Sequence, residues 1–80
     1  MFICITNAHG WGKAETQDEA RAIAFRNSTV RNAGVLCRIW PCNDDAHVVN
    51  GFGDVTGVIG PYIEFERTSR RGGWKEIARE

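Results

Sequence analysis

Three cysteines, two histidines, a glycine-rich run and two charge clusters are the parts of this 80-residue chain that could do chemistry. Cys37 and Cys42 stand close in sequence, and Cys4, His9 and His47 complete a conceivable ligand set. Zinc sites are built from close ligand pairs repeated twice. No second pair exists here, so no metal is expected. The same atoms could supply a thiol nucleophile and an imidazole base, Cys42 or Cys4 with His47 or His9, but neither has a local signature around it. Gly51-Phe52-Gly53-Asp54-Val55-Thr56-Gly57 has the outline of a phosphate loop. Its spacing differs from the dinucleotide fingerprint, no Gly-Lys-Ser/Thr follows, and no helix begins after it. A phosphate there would lack the converging amides and dipole of a helix N-terminus. It reads as a hairpin loop, and neither an enzyme nor a cofactor is expected.

The charges and aromatics point toward binding. Arg67, Arg70, Arg71, Lys75 and Arg79 crowd the C-terminal hairpin, with only Glu66, Glu76 and Glu80 to offset them. Asp44, Asp45 and Asp54 form a competing acidic patch in the middle loops. Trp11, Phe52 and Tyr62 lie in or beside glycine-rich loops, while Trp40 and Trp74 are expected in the core. Large side chains that can be desolvated together beside arginines have the composition of a binding hot spot. The expected partner surface is therefore Arg67, Arg70 and Arg71 with Trp11, Phe52 and Tyr62; the alternative is Asp44, Asp45 and Asp54. Ten basic and ten acidic residues cancel to zero net charge, which argues against binding nucleic acid by bulk charge. Arginine supplies eight of the ten basic residues, and its planar fork suits bidentate pairing with carboxylates.

The elements that must hold these residues follow from capping and periodicity. Thr16 to Asn27 reads as the one helix. Thr16 and Glu19 make a capping box, with the Glu19 carboxylate reaching back to the Thr16 amide, and Asp18 and Glu19 complement the dipole. Ala20, Ile23 and Ala24 form a thin apolar stripe, with Arg21, Arg26 and Phe25 off it. Phe2 to Thr6 reads as a central strand, and Asn7 to Gly12 as a turn. Val35 to Trp40 alternates as a second strand, which Pro41 ends. Cys42 to Asp45 is a polar turn and Ala46 to Asn50 a short strand. Gly51 to Pro61 is loop with a brief extended piece at Asp54 to Thr56, and Tyr62 to Arg67 is a strand. Arg70 to Gly73 turns the chain, and Trp74 to Arg79 returns as a hairpin strand in preference to a helical turn.

One domain over residues 1–80 is expected, α+β, with one helix on a mostly antiparallel sheet of four to five strands in two layers. The first two strands would join by a right-handed crossover if they are parallel neighbours. An odd number of cysteines without framework spacing implies buried thiols in a reducing cytoplasm. Cys4 and Cys37 should be core thiols, and Cys42, in its turn, the reactive one. No signal peptide or membrane span is visible.

The opening pattern is an apolar strand, Gly10-Trp11-Gly12, and Thr16-x-x-Glu19-Ala20 at a helix start. It resembles short proteins of phages and mobile elements, among them anti-CRISPR proteins. The resemblance covers the first third of the chain and assigns no residue a role. It implies a monomeric, non-enzymatic inhibitor, cytoplasmic in an infected bacterium. Such an inhibitor binds a subunit of a type I CRISPR surveillance complex and blocks target DNA. The alternative expectation is a small nucleic-acid-binding module using the arginine-rich hairpin.

Overall fold

The computed structural model describes residues 1–50 and 54–77. Strand β1 (Phe2–Thr6) turns into β2 (Trp11–Ala14), helix α1 (Gln17–Arg26) follows, and β3 (Leu36–Asn50), β4 (Asp54–Val58), β5 (Ile63–Arg67) and β6 (Trp74–Glu76) complete the order. The sheet runs β2-β1-β3-β5-β6, with β4 also on β3, and every pairing is antiparallel. This is the expected α+β class, with β1 central as its doubly apolar pattern required. β1 and β3 are neighbours but antiparallel, so the conditional crossover does not arise.

Two corrections concern strands. The stretch expected as a turn up to Gly12 turns only at Asn7 to Gly10, and Trp11–Ala14 pairs with β1 as a strand. Two glycines hid it. Gly10 and Gly12 face the helix, and a Cβ on Gly12 would lie 2.6 Å from the Ile23 Cβ. The helix rests on bare backbone there, which no alternating hydrophobic pattern would reveal. The second correction is that Pro41 does not end its strand; β3 continues to Asn50. The Pro41 carbonyl accepts from Ile59 N (2.9 Å), and in an antiparallel strand the nitrogen of a residue faces the same edge as its carbonyl. That edge is where β4 gives way to β5, so the missing N–H costs no ladder bond. Cys42, the next residue, bonds instead to Met1 O on the other edge (3.0 Å).

β4 and β5 therefore follow one another along a single edge of β3. The polar stretch Cys42 to Asp45, expected as a turn, is instead an irregularity inside the strand. Cys42 pairs with Val58 and His47 with Thr56, so Asn43 to Ala46 stand opposite Gly57 alone. Gly57 accommodates this at φ +79°, where a Cβ would sit 2.7 Å from the Ala46 Cα. A straight strand of this length would reach about 50 Å, yet the longest dimension of the molecule is 31 Å. β3 bends at the bulge.

The bend gives the sheet two covered faces. On one, Cys4, Cys37 and Ile39 pack under Ala20 and Ala24, with Phe2, Ala14, Phe65 and Trp74 around them. On the other, Ile3, Ile5, Trp40 and Cys42 are covered by Ala46, Val48 and Val55 from the folded-back arm, with Met1 and Tyr62 at the margin. The helix cap is as expected at its amide: Glu19 N donates to Thr16 Oγ1 (3.2 Å). The Glu19 carboxylate differs, accepting from the Thr16 hydroxyl (3.1 Å) instead of the amide. The buried helix face is also wider than the expected stripe. Arg21 and Phe25 are buried with Ala20 and Ala24, because Phe25 packs against Ala8, Val35 and Trp74.

A candidate arginine-rich binding surface

The helix ends where the β5–β6 hairpin turns, and three contacts lock the two together. Phe25 meets Trp74 edge to face, with centroids 5.4 Å apart. The Arg67 guanidinium lies 4.2 Å from the Phe25 centroid and 5.1 Å from that of Trp74. Its Nε donates to the Ser69 carbonyl (2.9 Å). Rings whose faces carry negative charge hold a cation in this way. In the turn itself, Thr68 N donates to Gly73 O (3.2 Å) and Gly73 adopts φ +92°, a left-handed geometry that suits glycine. Arg70 and Arg71 project exposed from this turn.

Arg70 also lines an open cleft with Phe25, Thr29, Val30, Arg31 and Asn32, about 450 Å³ in volume. Arg31 Nη1 donates to the Arg26 carbonyl (3.1 Å), placing a cation against the negative end of the helix dipole. Arg26, Arg31, Arg67, Arg70 and Arg71 thus gather at one end of the molecule. Among the described residues the ion pairs are Arg21–Asp18 and Arg38–Glu64, so none of these five has a carboxylate partner there. Glu66 alternates to the opposite face of β5 from Phe65 and Arg67.

Glu64, Glu66 and Glu76 lie on the hairpin strands themselves, and other acidic groups stand at the other end. Ala14 pairs with Phe2 and Phe2 with Pro41, so the helix begins where β3 enters its bulge. Glu15, Asp18 and Glu19 are therefore at the end that carries Asp44 and Asp45. Asp54 lies further out, opposite Asn50. Zero net charge conceals an uneven placement of the arginines, which composition alone does not reveal.

The structure divides the expected binding residues among several places. Arg67, Arg70 and Arg71 are together, but Arg67 is spent on Phe25 and Trp74. Trp11 is 43% exposed, beside Ile5 on the sheet face away from the helix. Tyr62 is half-buried on that same face, 5.4 Å from Trp40 and 4.8 Å from the Arg38 guanidinium. Phe52 lies outside the described residues, as do Gly51 and Gly53 of the glycine run and Arg79. Arg26 and Arg31 were missed; their signal was position, since basic residues at a helix end converge with whatever hairpin packs there.

The thiols are all free and buried. A hydrogen bond with Cys37, together with burial, holds the Cys4 thiol far above its ordinary range. Cys42, expected to be exposed and reactive, is 4% exposed in the second core, and burial pushes its thiol up. Both shifts disfavour thiolate, the nucleophilic form. Cys37 and Cys42 belong to opposite faces of the sheet, which rules out a bond between them. His47 is exposed and bonded to Thr56 Oγ1 (Nδ1, 3.0 Å). His9 sits in the β1–β2 turn at φ +67°. Among the described residues no three His, Cys, Asp or Glu side chains converge on a metal position. Gly57 and its neighbours form a strand, and among the described residues no helix follows it. Among the described residues no helix is long and apolar enough to cross a membrane. Comparison with family models, characterised proteins and solved structures finds no match.

Proposed function

We propose that this chain is a non-enzymatic binding protein, an inhibitor that occupies a surface of a protein partner through its arginine end. An inhibitor of a type I CRISPR surveillance complex that blocks target DNA is the sharpest form of this reading, and it rests on the resemblance of the first third of the chain. The observation supporting the broader reading is the set of arginines without carboxylate partners around the Arg31–Arg70 cleft. Arg67, fixed by two rings, orders the hairpin before a partner arrives, so less conformational freedom is lost on binding. Guanidinium groups presented this way suit carboxylates on a protein surface and stay charged at any working pH.

A second reading, a small nucleic-acid-binding module, draws on the same local excess of positive charge. The two separate by experiment. Because Arg67 also holds the fold, the test variant is Arg31/Arg70/Arg71→Ala, set beside Asp44/Asp45/Asp54→Ala, each checked by circular dichroism. The expected result is that the parent blocks DNA binding by the surveillance complex, or captures a host protein in a pull-down, and that the arginine variant loses this while the aspartate variant keeps it. Loss confined to the aspartate variant moves the site to the acidic end. A shift of nonspecific duplex at low salt, released as salt rises, would replace protein binding with nucleic-acid binding.

A further inference from the structure

Open strand edges invite association, and proteins guard them. Most edges here are guarded. Along distal β3, on the margin away from β4, the Lys13 ammonium donates to the carbonyls of Asp44 and Ala46. β2 lies against α1, and Asn27 Nδ2 donates to the Trp11 carbonyl (3.3 Å). β5 is covered by β6, itself a strand of three residues. β4 carries Asp54 and the Gly57 irregularity, but among the described residues no lysine, helix or strand covers its outer edge. It pairs with β3 along one edge, and among the described residues no strand pairs with the other. The flank of that edge is apolar: Val58 is 36% exposed, Ile59 64% and Ile63 37%. Val58 ends β4, Ile59 follows it, and Ile63 opens β5.

We infer that the free edge of β4 takes a second copy of this chain, β4 against β4, antiparallel about a two-fold axis at Thr56. In its pattern of exposure the strand is symmetric about Thr56, as such an axis demands, although Gly57 stands at φ +79°. Asp54, Thr56 and Val58 are exposed, while Val55 and Gly57 between them are half-buried, so the axis sets inward positions opposite inward ones and the sheet continues across the two copies. Charge agrees with this arrangement. Asp54 of each copy falls opposite Val58 of the other, and the two Asp54 side chains stay about 14 Å apart, four residues of rise, which exceeds the screening length at physiological salt. Parallel pairing would instead stack aspartate on aspartate. The axis also sends the two arginine ends in opposite directions, leaving both free for the partner proposed above. The expectation from sequence is a monomer; the open edge argues for a pair.

Sedimentation equilibrium of the full chain, from micromolar to millimolar concentration, tests this. The parent should rise to twice the mass of one chain. Val58→Lys with Ile59→Lys places two charges on exposed positions of the edge, and that variant should keep the parent's circular dichroism and stay at the mass of one chain. Amide exchange of residues 54–58 should slow as concentration rises in the parent and not in the variant. A parent that remains single at every concentration overturns the inference. So does a lysine variant that associates as strongly as the parent, or association that leaves exchange in β4 unchanged.

Discussion

On one face of β1, Cys4 lies beneath Ala20 and Ala24, and the helix rests directly on Gly10 and Gly12. On the other face, Ile3 and Ile5 meet Trp40, Ala46 and Val48 of a strand that has bent back over them. The first layer is built from small residues at close approach. Where the helix meets β2 and the β1–β2 turn there is no side chain on the glycines that could turn aside, so the fit there is steric. The second is built from large residues on a curved arm, and its closure depends on a bulge, a glycine at positive φ and a lysine. A single domain thus holds one layer by fit and the other by reach.

The largest expected effect follows from that fit. A Cβ on Gly10 would overlap the Ala24 carbonyl and the Ser28 hydroxyl, and would lie 2.6 Å from the Ser28 amide nitrogen. Two of those atoms are backbone, in the helix and just past its end, and cannot rotate away. The same place holds a buried polar node: Ser28 Oγ donates to Ala24 O (2.8 Å) and lies 2.6 Å from Thr6 Oγ1, which also accepts from Gly10 N (3.1 Å). Gly10→Ala should therefore cost about 3 kcal/mol, most of the stability of so small a domain. Urea unfolding measures it. A loss under about 1 kcal/mol would mean the helix can lift, and the contrast between the layers would fail.

Each layer buries a thiol, and pH should weigh them. For Cys4 and Cys42 the folded state favours the protonated thiol, whereas an unfolded cysteine ionises near about pH 8.5. The unfolded chain loses these protons first. Stability is thus full below about pH 8 and falls as pH rises, by up to about 1.4 kcal/mol per pH unit for a fully protected thiol. Urea midpoints between about pH 7 and pH 10 should show this decline. Cys4→Ala should flatten it more than Cys42→Ala, because Cys4 is both buried and bonded to Cys37, while Lys13 and the N-terminal ammonium pull Cys42 the other way. Equal flattening would make the two layers equally dry.

What the sequence disclosed, and what it hid, divides along similar lines. The helix was legible because its cap is local: Thr16 and Glu19 are three residues apart and satisfy one another whatever the rest of the chain does. β1 was legible from its doubly apolar run, and β5 and the final hairpin from alternation and from the Gly72-Gly73 pair. β2 was not, since its helix-facing positions are Gly12 and Ala14, and the meaning of the glycine appears only when Ile23 and Ala24 lie upon it. Pro41 misled for a related reason. A proline ends a strand when its nitrogen faces a partner, and here it faces a gap that β4 and β5 create much later in the chain. The candidate site was half legible. Arg70 and Arg71 stand out as a charge run, but Arg31 joins them only through the helix end, and the stacking of Arg67 on Phe25 and Trp74 depends on three elements meeting.

The smallest effect concerns the reach of the second layer. The Lys13 ammonium spans from β2 to the bulge of β3, donating to Asp44 O and, at 3.0 Å, to Ala46 O. These carbonyls would otherwise face water on an open edge, and the same charge discourages another strand from pairing there. The site is partly exposed, so water replaces much of what Lys13→Met removes, and the cost should be about 1 kcal/mol. The change should not spread evenly. Amide exchange should quicken in residues 47–50 and 54–58, while β1 and α1 keep their protection, because the helix layer makes no use of this lysine. If exchange quickens throughout the chain, the arm and the helix layer open as one unit, and the division into a layer held by fit and a layer held by reach does not describe how the molecule comes apart.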